Sequence, residues 1–366
     1  MCKIKICYLI SSLCNEGPVN VIYNILQFIN FARFDVSIVT LNPEKTSTRI
    51  QEFRKLPIRL EQLSATKKIS LFSQYVKLTK VLKDIKPDII HGHCSGPLYL
   101  MNFLPYKTVY TIHIYPGVQN IALSGWFKGN IIIRLDNYFT KKCDAPICCS
   151  ESIAEKYLRE KGLKYLAIPN GTSYKVWHFS EGQKQILRKQ LGLENNKKYF
   201  IFVGRFSKEK HPEILVKAFA KRHDVGLIML GIGPLWESLF KIKTGNIIMP
   251  GFTTKVADYL RASDYYISSS DIEGLANTIL ESMSVGLPML LSNIPSHQEI
   301  VRNIPKDTIV SYFMDNHSEI DIIRKVDAVL KIDTDNARNV IQNIFKKYYT
   351  AEIMTNKYEE VYDRLI

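Results

Sequence analysis

Long apolar runs are missing from this sequence. No stretch of about 18 uncharged apolar residues occurs, so no segment is suited to span a bilayer. No signal peptide is visible either. Lys3 and Lys5 interrupt the first apolar run, which reads as a short strand. The seven cysteines (Cys2, Cys7, Cys14, Cys94, Cys143, Cys148 and Cys149) are odd in number and contain no C-x-x-C pair. That spacing argues against a zinc site or a disulfide framework and fits free thiols in a reducing cytosol. The loop after the first strand carries no G-x-G-x-x-G, so a nicotinamide cofactor is not expected. No DNA- or RNA-binding motif is present, and the basic residues are not interleaved with aromatics in a recognisable pattern.

What is present is an ordinary globular mixture. Of 366 residues, 46% are apolar, 11% aromatic and 23% charged, which supplies two full cores and excludes disorder or a collagen-like repeat. The length suits two domains, three at most. Acidic residues are under-represented, giving a net charge of +14, and the shortage is uneven. Residues 1–170 hold 23 Lys and Arg against 12 Asp and Glu, whereas residues 171–366 hold 26 against 23. A basic front half suits an anionic partner such as a phosphorylated lipid, a membrane surface or nucleic acid. A lysine-rich soluble surface is the bland alternative.

Short β-rich runs alternate with amphipathic stretches. Ile4–Ile10 reads as a strand and Val19–Asn30 as a helix with Val19, Ile22, Leu26 and Ile29 on one face. Strands at Val36–Leu41, Asp88–His91, Thr108–Ile112 and Ala145–Cys149 follow, with helices at Leu71–Lys83 and Glu151–Lys161. Pro169-Asn170-Gly171 is a turn, and Glu181–Lys198 reads as a polar stretch, which puts a domain boundary near residue 170. The rhythm restarts with strands at Tyr199–Val203, Gly226–Leu230, Asn246–Met249, Tyr265–Ser269 and Met289–Leu291 and helices at His211–Arg222, Lys255–Arg261 and Asn277–Val285. The tail from Ser318 is helical. The βαβ rhythm predicts α/β architecture, with two Rossmann-like, doubly wound domains at 1–170 and 171–349. Such domains face to face leave a central cleft at the carboxyl ends of their strands.

The most informative segment is Ser268-Ser269-Ser270-Asp271-Ile272-Glu273-Gly274-Leu275-Ala276-Asn277-Thr278-Ile279-Leu280-Glu281. It reads strand, loop, helix, with Asn277 placed to cap the helix and Gly286-Leu287-Pro288 ending it. Gly274 lets backbone N–H groups approach a ligand, and the helix N-terminus adds positive potential, a combination suited to phosphate or sugar. A carboxylate only accepts, so Glu273 and Glu281 suit hydroxyls such as a ribose diol. A dipole-favoured surface glutamate is the bland alternative for Glu281 alone. Arg205 and Lys210 flank a polar turn between strand and helix, as a diphosphate site requires. His91, His93 and His113 follow apolar strands, where cleft-facing and buried hydrogen-bonded roles compete. Their spacing lacks an i, i+4 helical arrangement and an acidic partner, so no metal is expected there. Asp333-Thr334-Asp335 resembles a metal-binding D-x-D but lies between tail helices, where a helix N-cap is the simpler role.

Glu273…Glu281, with its Glu273-Gly274-Leu275 start and Gly286-Leu287-Pro288 end, resembles the E-x7-E motif of retaining GT-B glycosyltransferases of family 4. Gly204-Arg205-Phe206-Ser207-Lys208-Glu209-Lys210 is similar to the family's G-R-x4-K loop, and Leu230-Gly231-Ile232-Gly233-Pro234, Asp264 and Ile168-Pro169-Asn170-Gly171 also match. The resemblance implies a donor pocket of Gly17, Arg205, Lys210, Glu273, Gly274, Leu275, Ala276, Asn277, Thr278 and Glu281. Within it Glu281 holds the ribose, Glu273 meets the donor sugar, and the amides from Gly274 to Thr278 meet sugar hydroxyls and the distal phosphate. His113, matching the histidine of the family's T-x-H strand, together with Glu273, Arg205 and Lys210, forms the implied catalytic set. Where the family has Gly-Gly after the first strand, this chain has Glu16-Gly17-Pro18. The last helix, about 350–366, is implied to return to the first domain.

The resemblance implies a nucleoside-diphosphate-sugar donor, UDP rather than GDP, with no cofactor and no metal, and a saccharide acceptor. The basic first half makes that acceptor a lipid-diphosphate-linked one at the inner face of an anionic membrane, in bacterial surface polysaccharide, O-antigen or capsule assembly. Two rival readings are a GT-B sugar-nucleotide 2-epimerase, which would convert donor with no acceptor present, and a non-enzymatic basic nucleic-acid-binding protein.

Overall fold

In the computed structural model, residues 3–45, 47–117, 120–121, 124–173, 181–305 and 308–366 are described. The chain forms two compact units, Met1–Gly171 with Ala351–Ile366, and Thr172–Thr350.

The first unit is built on a seven-stranded sheet: β1 Ile4–Ile10, β2 Phe34–Thr40, β3 Arg59–Gln62, β4 Ile89–His93, β5 Lys107–Ile112, β6 Ala145–Cys148 and β7 Leu166–Ala167. Every pairing is parallel, in the order β3-β2-β1-β4-β5-β6-β7. Central parallel strands are covered on both faces, which is why β1 is apolar and buried from Ile6 to Ile10. Ile6 pairs with Val36 on one side and Ile89 on the other. The helix Gly17–Leu26 opens with Pro18 at its start, where the missing N–H costs nothing, and buries Val21, Ile22, Ile25 and Leu26. The helix Ala351–Leu365 joins the same core through Met354, Tyr358, Val361 and Tyr362.

The second unit carries a six-stranded sheet: β8 Lys198–Val203, β9 Val225–Leu230, β10 Ile247–Gly251, β11 Tyr265–Ser268, β12 Met289–Ser292 and β13 Ser311–Met314. It is parallel throughout, in the order β10-β9-β8-β11-β12-β13. Each sheet therefore has the doubly wound strand order. The direction of winding reverses between β1 and β4, and again between β8 and β11. Ligands of such sheets bind at those switch points, beyond the carboxyl ends of the strands.

Several elements differ from the sequence expectation. The supposed polar connector contains a helix, Glu181–Gln190, whose Lys184 and Arg188 are buried. Both are paired with Asp264, 2.8 Å from Lys184 Nζ and 2.6 Å from Arg188 Nη2, and Asp264 also accepts the Tyr199 N–H at 2.8 Å. Burial alone would raise the Asp264 carboxyl, but the two cations outweigh it and hold the pKa below the ordinary range. Charged residues facing inward give no apolar periodicity, so the pattern concealed this helix. The helix Trp126–Lys142 was concealed for a similar reason, since its buried side chains include Asp136 and Thr140. Asn277 does not cap its helix but begins it; Ala276 is the N-cap. Asp333 caps the helix Thr334–Tyr348, accepting from the N–H groups of Asp335 and Asn336 at 3.2 Å each.

Candidate active site

In the second unit, the loops leaving β8 and β11 meet at the switch point. The β8 loop turns sharply at Gly204 and crosses the end of β9. Gly231 adopts φ +127°, and a Cβ there would lie 2.0 Å from the Gly204 carbonyl oxygen. Only glycine allows that approach. A 3-10 turn, Lys208–Lys210, then leads into the helix Pro212–Phe219. The β11 loop is bound to this turn: the Asp271 N–H donates to the Glu209 carbonyl at 2.9 Å, and the Ser269 hydroxyl donates to the carbonyls of Lys210 and His211 at 2.9 Å each.

These contacts bring Lys210 and Glu273 together. The Lys210 ammonium donates to Glu273 Oε1, which also accepts from Ser270 Oγ at 2.7 Å. Burial by itself would raise the Glu273 carboxyl. The charge and hydrogen bond of Lys210, with lesser help from His297 and Ser270, reverse that and hold it below the ordinary carboxylate range. Glu273 is therefore an ionised acceptor at neutral pH, paired with the Lys210 ammonium. Burial also pushes the Tyr266 phenol upward, and both Glu273 and Glu281 add to the effect, so the two carboxylates share one electrostatic neighbourhood. Tyr266 and Thr278 hydroxyls lie 3.0 Å apart, tying β11 to the first turn of the helix Asn277–Val285. Gly274 and Leu275 are buried, and Ala276, Asn277, Thr278 and Glu281 are half-buried, on the loop and opening turns of that helix. Arg205 is exposed and pairs with no acid among the described residues.

Sequence reasoning missed His297. It is fully buried, its Nδ1 2.9 Å from the Ser292 carbonyl and 3.1 Å from the Ser292 hydroxyl, which donates to the Ser270 carbonyl at 2.5 Å. Burial, against the pull of Glu273, lowers its pKa to about 4, so it is neutral at physiological pH. No motif surrounds it, and only the fold brings it beside the β11 loop. His211, Asp271 and His317 also escaped the sequence reading. One ligand atom from each lies within 4.8 Å of the others, a group that could hold a cation.

In the first unit, the β4 and β5 ends bring three histidines together. His91 is fully buried, with Nδ1 2.8 Å from Tyr362 Oη and Nε2 2.8 Å from Thr111 Oγ1. The chain extends to Tyr8 Oη, 2.8 Å from Tyr362 Oη, and to Tyr358 Oη, 2.9 Å from Thr111 Oγ1. His91 thus has the buried hydrogen-bonded role. His93 Nδ1 lies 2.7 Å from His113 Nε2, so one ring donates and the other accepts. Burial lowers the His113 pKa to about 3, leaving a neutral, partly accessible imidazole at the end of β5. The loop after β1 is held by Glu44, whose carboxylate accepts the Leu13 N–H at 3.0 Å and the Thr48 hydroxyl at 2.7 Å. Gly17 starts the following helix with nothing within 4 Å of where its Cβ would stand.

Family models match both units. Residues 16–174 match "Glycosyltransferase Family 4" and residues 183–347 match "Glycosyl transferases group 1". The chain belongs to the GT-B glycosyltransferases. An Escherichia coli UDP-Gal:alpha-D-GlcNAc-diphosphoundecaprenol alpha-1,3-galactosyltransferase is 27% identical over 290 residues, 74% of each chain. The Escherichia coli O-antigen biosynthesis glycosyltransferase WbnH is 28% identical over 244 residues, covering 64% of this glycosyltransferase and 67% of the relative. Among solved structures, Anabaena Alr3699/HepE in complex with UDP and glucose has a TM-score of 0.80 at 17% identity, covering 99% of this chain and 100% of that one. That likeness establishes the shared GT-B fold.

Proposed function

We propose that this glycosyltransferase moves a sugar, with retention of anomeric configuration, from a UDP-sugar to a lipid-diphosphate-linked saccharide in surface polysaccharide or O-antigen assembly. The observation that carries the reading is the Lys210–Glu273 contact at the β8/β11 switch point, directly before the helix Asn277–Val285. Ionised Glu273 accepts from donor-sugar hydroxyls. Glu281 takes the ribose diol, and the amides from Gly274 to Thr278 meet sugar hydroxyls and the distal phosphate at the positive end of their helix. Arg205 and Lys210 neutralise the leaving diphosphate, which is the task a divalent cation performs in other transferases, and the reading is accordingly metal-independent. The bond from the anomeric carbon to the phosphate oxygen breaks as the acceptor oxygen bonds that carbon from the same face. The acceptor hydroxyl proton passes to the departing phosphate oxygen. His113, neutral and carried on β5, hydrogen-bonds the transferred sugar, with its Nε2 fixed by His93. Gly17, which opens the helix Gly17–Leu26, is assigned to the donor phosphates.

The names of the two Escherichia coli relatives support a UDP donor and a lipid-linked or O-antigen acceptor, and the basic first half supports an anionic, membrane-held substrate. Among the described residues no helix is long and apolar enough to cross a membrane, and the reading is a peripheral protein at the inner membrane face. The test is UDP binding measured calorimetrically in the wild type and in Glu281→Ala. Weakening of about tenfold or more is expected for loss of a charge-assisted contact to the ribose; unchanged affinity rejects the assignment. A UDP-sugar incubated without acceptor should stay unepimerised, and turnover should persist in excess chelator.

A further inference from the structure

The helix Trp126–Lys142 in the first unit is turned inside out. A helix on a soluble protein normally faces its apolar stripe inward. Here the buried side chains include Asp136 and Thr140, with Asp136 accepting from Tyr99 Oη at 2.6 Å and Ser95 Oγ at 3.2 Å. Gly129 is buried with them, against the Ile121 backbone. Five of the outward residues are apolar or aromatic: Trp126 is 73% exposed, Phe127 69%, Ile131 43%, Leu135 39% and Tyr138 53%. Positions 127, 131, 135 and 138 fall on one face of the helix. An exposed apolar stripe of this kind, with Arg134 set on the same face, marks a contact surface.

The charges on the same helix say what the contact is. Lys128, Arg134, Lys141 and Lys142 are exposed, and the helix's single acid, Asp136, is withdrawn into the interior. Aromatic and aliphatic side chains flanked by cations, with no exposed anion, complement an anionic lipid surface; helices of this kind lie in the headgroup plane. The patch extends beyond the helix. The Phe103 ring lies 5.6 Å from that of Phe139, and Phe103 is itself 62% exposed. Tyr75 donates to the Phe103 carbonyl at 3.3 Å from the helix Leu71–Ile85, whose Leu71, Phe72 and Val76 are also exposed beside Lys77 and Lys80.

We propose that the outward face of the helix Trp126–Lys142, continued by Phe103 and Phe72, seats the first unit on an anionic phospholipid bilayer. The inference deepens the membrane part of the proposed function and names the surface that delivers it. The test is sedimentation of the full chain with vesicles of phosphatidylglycerol and phosphatidylcholine, and with phosphatidylcholine alone. Two double variants probe the apolar and charged arms, Phe127→Ser with Ile131→Ser and Lys141→Glu with Lys142→Glu. The wild type should bind the anionic vesicles, and each pair should reduce binding about tenfold or more. All four positions are exposed, and the UDP-induced rise in melting temperature serves as the control for folding and for the donor reading. Vesicle binding with no UDP response in the wild type would reject the donor reading and leave this one standing. No wild-type binding, or variants that bind vesicles as the wild type does, overturns the proposal. A wild-type oligomer that Phe127→Ser with Ile131→Ser converts to monomer, without vesicle binding, assigns the stripe to a protein interface and overturns it as well.

Discussion

Mild acid should weaken the first unit through His91. The ring is fully buried and holds a hydroxyl at each nitrogen, Tyr362 at 2.8 Å and Thr111 at 2.8 Å. Burial, with a smaller contribution from His113, lowers its pKa from 6.5 to about 3. Between those values the unfolded chain takes up a proton that the folded chain refuses. The stabilising contribution is therefore complete above the unfolded value and is lost as the pH falls toward the folded one. The slope is about 1.4 kcal/mol per pH unit for one such group. From about pH 7.5 to about pH 5.5, His91 alone should cost about 1.4 kcal/mol. Denaturant unfolding of the wild type and of His91→Gln at both pH values reads this directly. Glutamine can still donate and accept but does not titrate. The variant should be weaker at pH 7.5 yet lose about 1.4 kcal/mol less than the wild type on acidification. Equal losses in the two proteins would show that His91 does not resist protonation and that the burial argument is wrong.

Three further outcomes follow from the second unit. Lys210→Met should lower turnover about a hundredfold or more. It should also move the acid limb of the rate profile upward, because burial then acts on Glu273 against only the lesser opposition of His297 and Ser270; Lys210→Arg should restore part of both. Asp264→Ala removes the carboxylate paired with buried Lys184 and Arg188, and should destabilise by about 3–5 kcal/mol in chemical unfolding. Gly231→Ala should cost at least about 2 kcal/mol, seen as a lower melting temperature, since the new Cβ would fall 2.0 Å from the Gly204 carbonyl oxygen in a backbone conformation disfavoured for alanine.

The sequence showed its architecture wherever apolar runs dictated it. The strands β1, β8 and β11 and the helix Asn277–Val285 were legible because most of their buried positions are apolar and their ends carry turn residues. It hid elements whose inward face is polar. Glu181–Gln190 buries Lys184 and Arg188, and Trp126–Lys142 buries Asp136, so no hydrophobic period announced either. The acidic pair and the Arg205–Lys210 loop stood out because their spacing is local. The contact between Lys210 and Glu273 spans 63 positions and exists only because β8 and β11 are sheet neighbours. His297 depends on the fold in the same way, reaching the site across β12 with no local signature.

The helix Ala351–Leu365 has a consequence for biosynthesis. Tyr358 and Tyr362 supply the last hydroxyls of the chain through His91, so the first unit's interior stays open until that helix is made. A ribosome must first produce Thr172–Thr350, taking roughly ten to forty seconds at about 5–20 residues per second. During that interval the unfinished half presents an exposed imidazole and an uncovered apolar surface to the cell. The fifteen-residue helix Ala351–Leu365 is therefore the last described element to enter the first unit's core.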